Sequence, residues 1–156
     1  MGTVSATDQS LAAGDLKVAV IAARYNEQIV GQLLAGARAA WAARGGSESA
    51  LRIERVPGAF ELPLAARQLA LSGTFDAVVA LGCVIRGETA HFEYVAGECA
   101  RGLQQVMLQT GVPVSFGVLT TETLQQAEQR AAPGPQNKGA EAIDTAIAMA
   151  RLLRRI

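Results

Sequence analysis

Residues 75–95 read FDAVVALGCVIRGETAHFEYV, an apolar run that passes through a glycine-containing segment into a helical pattern. Residues 75–81 (FDAVVAL) are short, Val-rich and bounded by turn-formers, as expected of a strand buried on both faces. Residues 82–89 hold two glycines and read as a loop. From His91 to Gln109 the apolar positions take helical spacing. Strand, loop and helix in this order form one half of a parallel crossover unit.

The same alternation extends in both directions. Upstream, residues 16–23 (LKVAVIAA) read as a strand, and Asn26 stands where a helix N-cap would. Ile29, Val30, Leu33, Leu34, Ala37, Ala40 and Trp41 follow at helical spacing until Gly45-Gly46. Residues 51–56 (LRIERV) alternate as a half-exposed strand, and Pro57-Gly58 turns the chain into a helix over 60–71. Pro63 fits that helix because it lies in the first turn.

Downstream, residues 112–119 (VPVSFGVL) predict a fourth strand with Pro113 at its start. A short helix is predicted over 122–131, a loop over 132–136 and a last helix over 137–156. The basic end of that helix, Arg151, Arg154 and Arg155, suits the helix dipole. Four strands separated by helices predict a parallel sheet covered on both faces. The expected architecture is α/β: a three-layer α/β/α sandwich, flavodoxin-like, with strand order 2-1-3-4. One domain is expected over 15–156, preceded over 1–14 by a flexible tail or an arm that orders against a partner.

Composition excludes several classes of function. Half of the 156 residues are apolar, enough for one sizeable core. Lys plus Arg and Asp plus Glu both number 14, so no bulk positive charge is present to hold nucleic acid. No apolar run approaches the roughly 20 residues of a membrane span. Residues 1–14 lack the basic and apolar regions of a signal peptide. Cys83 and Cys99 fit no metal-binding spacing and read as buried free thiols of a cytosolic protein.

In open parallel sheets ligands bind beyond the carboxyl ends of the strands. Tyr25, Phe60, Glu61, the 82–89 segment and His91, the only histidine, all fall at such ends. Tyr25 and Phe60 suit either stacking on a flat heterocycle or core packing. Glu61 suits either a polyol's hydroxyls or the dipole of its own helix. Residues 86–89 open a helix, so their N–H groups suit an anion, with Thr89 as the alternative cap. A helix N-terminus disfavours a cation, which suits His91 to shuttle protons. No G-x-G-x-x-G or Walker motif is present.

Taken together, Arg24-Tyr25-Asn26, VPGAFELP (56–63), LGCVIRGETAHFEYV (81–95), GVPVSFGVLTTET (111–123), Gln126-Ala127-Glu128-Gln129-Arg130 and Asn137-Lys138-Gly139 resemble the lumazine synthase family, in family order. The resemblance implies condensation of 5-amino-6-(D-ribitylamino)uracil with 3,4-dihydroxy-2-butanone 4-phosphate, releasing phosphate and water, with no metal or organic cofactor. It implies His91 as the proton-transfer residue and Tyr25 stacked on the pyrimidine. Ala59, Phe60 and Glu61 then line the ribityl side. Cys83, Val84 and Ile85 meet the uracil edge, largely by main chain. Glu88 and Thr89 begin the phosphate site. Phe116 closes over the pyrimidine and Arg130 supplies the phosphate's cation, both from a neighbouring subunit. The implied protein is a cytoplasmic homo-oligomer with shared sites, a pentamer or an assembly of pentamers, with no nucleic-acid or membrane partner.

Two departures from the family pattern stand out. Residues 131–136 (AAPGPQ) replace a Gly/Thr/Lys/Ala-rich turn common in shell-forming members, and Cys83 replaces a frequent Thr. Two alternatives use the same scaffold: an archaeal-type riboflavin synthase, and a non-catalytic flavin-binding protein.

Overall fold

The structure is a computed structural model that describes residues 11–156. The first ten residues of the expected N-terminal tail lie outside the described residues. Within the rest of that segment, Leu11 and Ala13 are buried in the core, and the Ala13 N–H donates to the Arg44 carbonyl at 2.9 Å.

Four strands, β1 (Val18–Ala23), β2 (Leu51–Val56), β3 (Ala77–Ile85) and β4 (Val114–Thr121), form one parallel sheet in the order β2-β1-β3-β4. Five α-helices connect or follow them: α1 (Glu27–Ala43), α2 (Leu62–Leu71), α3 (His91–Thr110), α4 (Leu124–Ala131) and α5 (Lys138–Arg155). The six residues of β1 are all buried because helices cover both faces. Val18, Val20 and Ala22 point into a core with α1, α4 and α5. Ala19 and Ile21 point into a second core with α2 and α3. This is the expected three-layer sandwich with the expected strand order.

Glycine permits the closest approach on the first face. A Cβ on Gly139 would lie 1.9 Å from the Leu33 carbonyl oxygen, so α5 meets α1 backbone to backbone. Asn137, buried, caps α5 by accepting from the Gly139 and Ala140 N–H groups at 2.9 and 3.1 Å. Its amide N–H donates to the Ala131 carbonyl at 2.7 Å, which anchors the start of the proline-containing loop. No helix among the described residues is long and apolar enough to cross a membrane.

Strand ends differ from the sequence reading in one place that matters for the site. β3 does not stop at Leu81 but continues through Gly82 to Ile85, pairing Val84 with Thr120 and Ile85 with Thr121 of β4. Gly82 lies inside the strand, paired with Val118 of β4, and Leu62 packs close against it. A Cβ there would lie 3.3 Å from the Leu62 Cδ1. The pairing of β3 with β1 ends earlier, at Ala22 and Leu81. The last four residues of β3 are thus strand-paired on one side only, and their other side faces the carboxyl end of β1.

Candidate active site

A cleft of about 500 Å³ opens where β3 outruns β1. Tyr25 and Asn26 wall it from the end of β1, Ala59, Phe60 and Glu61 from the turn after β2, Cys83, Val84 and Ile85 from β3, and His91 from the start of α3. Eight of the sequence-predicted site residues therefore share one cavity, at the place the strand-end rule assigns to it. Tyr25 and Phe60 are 69% and 59% exposed, so neither is a core residue. Both offer aromatic surface to the cleft.

The local sequence explains how these side chains are held. Backbone N–H groups of Arg24 and Tyr25 donate to the Pro57 carbonyl at 3.1 and 3.0 Å, which ties the ends of β1 and β2 together. Tyr25 then lies over Gly58, where a Cβ would fall 2.6 Å from the ring's Cδ2. The Glu61 carboxylate accepts from the Gly58 N–H at 2.9 Å. That bond uses one lone pair and leaves the rest of the exposed carboxylate for a ligand. Asn26 takes the expected N-cap position of α1, but its side chain does not cap the helix. It is the only non-glycine with positive φ among the described residues (57°), makes no side-chain cap bond to α1, and instead donates to the Cys83 carbonyl at 2.8 Å.

Burial raises the Cys83 thiol to about 11 and the Cys99 thiol to about 12, so both stay protonated at neutral pH. Both are free and buried, as expected. Cys83 lines the cleft, with its carbonyl already accepting from Asn26. The Asn26 bond places the Cys83 carbonyl on the β1 side, and the two-residue alternation of a strand puts the peptide groups of Ile85 on that side too.

At the mouth of the cleft, α3 begins at His91 with no side-chain cap bond. Thr89 Oγ1 accepts from the His91 N–H at 3.4 Å, two residues on. Glu88 and Thr89 are exposed and lie outside the residues lining the cleft. Arg86, in the same segment, is committed within the chain. It pairs with Glu93 and, at 2.7 Å, with Glu122, and its guanidinium lies 4.3 Å from the centre of the Phe92 ring. Arg86 holds the Glu93 carboxyl below the usual carboxylate range.

Phe116 and Arg130 are elsewhere. They line a second cleft of about 450 Å³ beside the edge strand β4, together with Lys138 and Glu141 of α5. Arg130 donates to the Gln126 carbonyl at 3.0 Å, and no carboxylate of the described residues pairs with it. Lys138 pairs with Glu141. The sequence reading also missed Tyr94 and Val95, which line the first cleft. The signal was available, since Tyr94 follows His91 by one helical turn.

An open, doubly covered parallel sheet with an aromatic-walled cleft at its strand ends defines an α/β protein that binds a small molecule there. The sequence model of the 6,7-dimethyl-8-ribityllumazine synthase family matches residues 15–154, and the chain belongs to that family. The protein is accordingly a transferase of riboflavin biosynthesis, joining 5-amino-6-(D-ribitylamino)uracil to 3,4-dihydroxy-2-butanone 4-phosphate.

Proposed function

We propose that the cleft between β1 and β3 binds the ribitylaminouracil and that a neighbouring copy of the chain completes the site with its β4 cleft. Tyr25 stacks on the pyrimidine. Ala59, Phe60 and Glu61 receive the ribityl chain, with Glu61 accepting from its hydroxyls. Main-chain groups from Cys83 to Ile85 bond the uracil edge, a role to which the one-sided pairing of β3 is suited. Glu88 and Thr89 begin the phosphate site through the N–H groups at the start of α3. The neighbour's β4 cleft brings Phe116 over the pyrimidine and Arg130 to the phosphate.

The observation that carries this reading is the separation of the two clefts. His91 and Tyr25 line one, Phe116 and Arg130 the other. A reaction between an aromatic amine and a phosphorylated ketone needs an aromatic platform, a proton shuttle and a cation together. One chain carries all of them but not in one cavity. A closed ring of identical subunits, each placing its β4 face on the next one's cleft, supplies them together. A pentamer is the ring this reading adopts, in the cytoplasm, where two unpaired thiols stay reduced.

The chemistry assigns the steps. The uracil's amine attacks the ketone and one water is lost to give an imine. Phosphate leaves by elimination, and ring closure with loss of a second water completes the pteridine. Each step moves protons, and His91 at the mouth of the cleft serves them. Alignment of two bound substrates contributes the remainder of the rate. His91→Ala should therefore lower kcat by about 10²-fold without abolishing lumazine formation. The measurement is absorbance of the lumazine at saturating substrates across pH. A wild-type rate at every pH removes His91 from the mechanism.

A further inference from the structure

Asn26 combines two features that a helix cap does not need. Its backbone is left-handed, with φ 57° and ψ 45°, a conformation that costs an L-residue energy and that Asn tolerates better than most. Its side chain reaches across 57 positions of sequence to the Cys83 carbonyl, at 2.8 Å. The left-handed turn sends the chain from β1 into α1, whose first backbone bond runs from the Val30 N–H to the Asn26 carbonyl at 3.0 Å. Tyr25, immediately before the turn, is left with its ring on Gly58 and its other face toward the cleft.

The Cys83 carbonyl lies just past the last pairing of β1 with β3. No backbone N–H of β1 reaches it, and Asn26 supplies the missing donor. The bond therefore stands in for one rung of the ladder and sets the distance between two walls of the cleft: the Tyr25 platform and the strand end from Cys83 to Ile85. We propose that Asn26 is a positioning residue for the aminouracil, holding Tyr25 and the β3 end at the spacing of a flat ring. It acts through these two walls. The proposal rests on the assignment of this cleft to the uracil substrate.

Two substitutions separate the tether from the turn. Asn26→Asp keeps shape and tolerance for the left-handed turn but sets a carboxylate oxygen against the Cys83 carbonyl. Asn26→Gly adopts the turn freely and removes the tether. Both should raise KM for the aminouracil by about tenfold while kcat stays within about twofold. KM for the butanone phosphate should not change. A residue that merely supports the fold would lower the amount of active enzyme, and hence kcat, at constant KM. That pattern, or unchanged KM in both variants, overturns the proposal. Tyr25→Ala run alongside distinguishes the two levels. If it raises KM for the aminouracil and the Asn26 variants do not, the cleft assignment stands and the positioning role falls. If Tyr25→Ala also leaves KM unchanged, the cleft assignment falls, and the positioning role with it.

Discussion

The cleft over the ends of β1 and β3 and the cleft beside β4 are of similar size, about 500 and 450 Å³, with opposite furnishings. The first has aromatic faces, a carboxylate, exposed strand backbone and the only imidazole. Among its described lining residues there is no Lys or Arg. The second has Phe116, Arg130 and the Lys138–Glu141 ion pair, and no imidazole. Their elements explain the difference. The first collects the residues after three strands at the carboxyl end of the sheet. The second lies along the exposed edge of the sheet, under helices α4 and α5 that follow the last strand. On the proposed reading the two clefts are half-sites, with the imidazole in one and the cations in the other.

The largest expected effect of breaking this complementarity comes from the second cleft. Arg130→Ala should raise KM for the butanone phosphate by about 10²-fold, because a phosphate left without its cation stays partly uncompensated. KM for the aminouracil should change little. Saturation kinetics in each substrate separately give the answer. An equal rise in both would mean that Arg130 supports the whole site rather than the phosphate.

The smallest effect is expected at the opposite end of the sheet, where polar groups are closed on one another. Asp15 pairs with Arg151 and, at 2.6 Å, with Arg154, which also reaches Asp76 at 2.9 Å. Hydrogen bonds from Arg151 and then Arg154 lower the Asp15 carboxyl from 3.8 to about 2. A carboxyl depressed in the folded state stabilises it above the unfolded value and loses that effect as pH falls through the folded one. Asp15→Asn should thus lower Tm slightly at neutral pH. The difference should shrink as pH falls from 3.8 and vanish below about 2. The pairs are exposed, so the effect is small. Lumazine formation at neutral pH should be unchanged. A Tm difference that persists below that range would contradict the pairing.

Much of the fold was legible because Gly and Pro punctuate it. Gly45-Gly46, Pro57-Gly58, Gly73 and the 132–136 loop separate the elements, and the apolar runs between them have strand or helix periods. The end of β3 was not legible. Gly82 reads locally as a breaker, but it and the strand beyond it are held by β4, a partner remote in sequence. Asn26 read as a cap for the same reason: its true partner is remote in sequence.

The site was legible to a similar depth. The strand-end rule gathered Tyr25, Phe60, Glu61 and His91 before any resemblance was considered, and the cleft unites them. Nothing in the residues themselves separates Phe116 and Arg130 from that group. Phe116 is a half-exposed edge-strand aromatic and Arg130 a surface cation on a short helix. Only the resemblance implied a neighbouring subunit for them, since periodicity and spacing describe one chain and not its copies.

Co-expression of His91→Ala with Arg130→Ala tests the shared site most directly. Each variant alone should be impaired. In mixed rings with sites built from two subunits, about one site in four receives the intact His91 of one chain and the intact Arg130 of its neighbour. Assayed with butanone phosphate well below the KM of the Arg130→Ala variant, mixed oligomers purified through two different tags should therefore recover about a quarter of wild-type lumazine formation, well above either variant alone. Sites built within single chains would always carry one of the two defects. Activity no greater than the average of the separate variants would contradict the account.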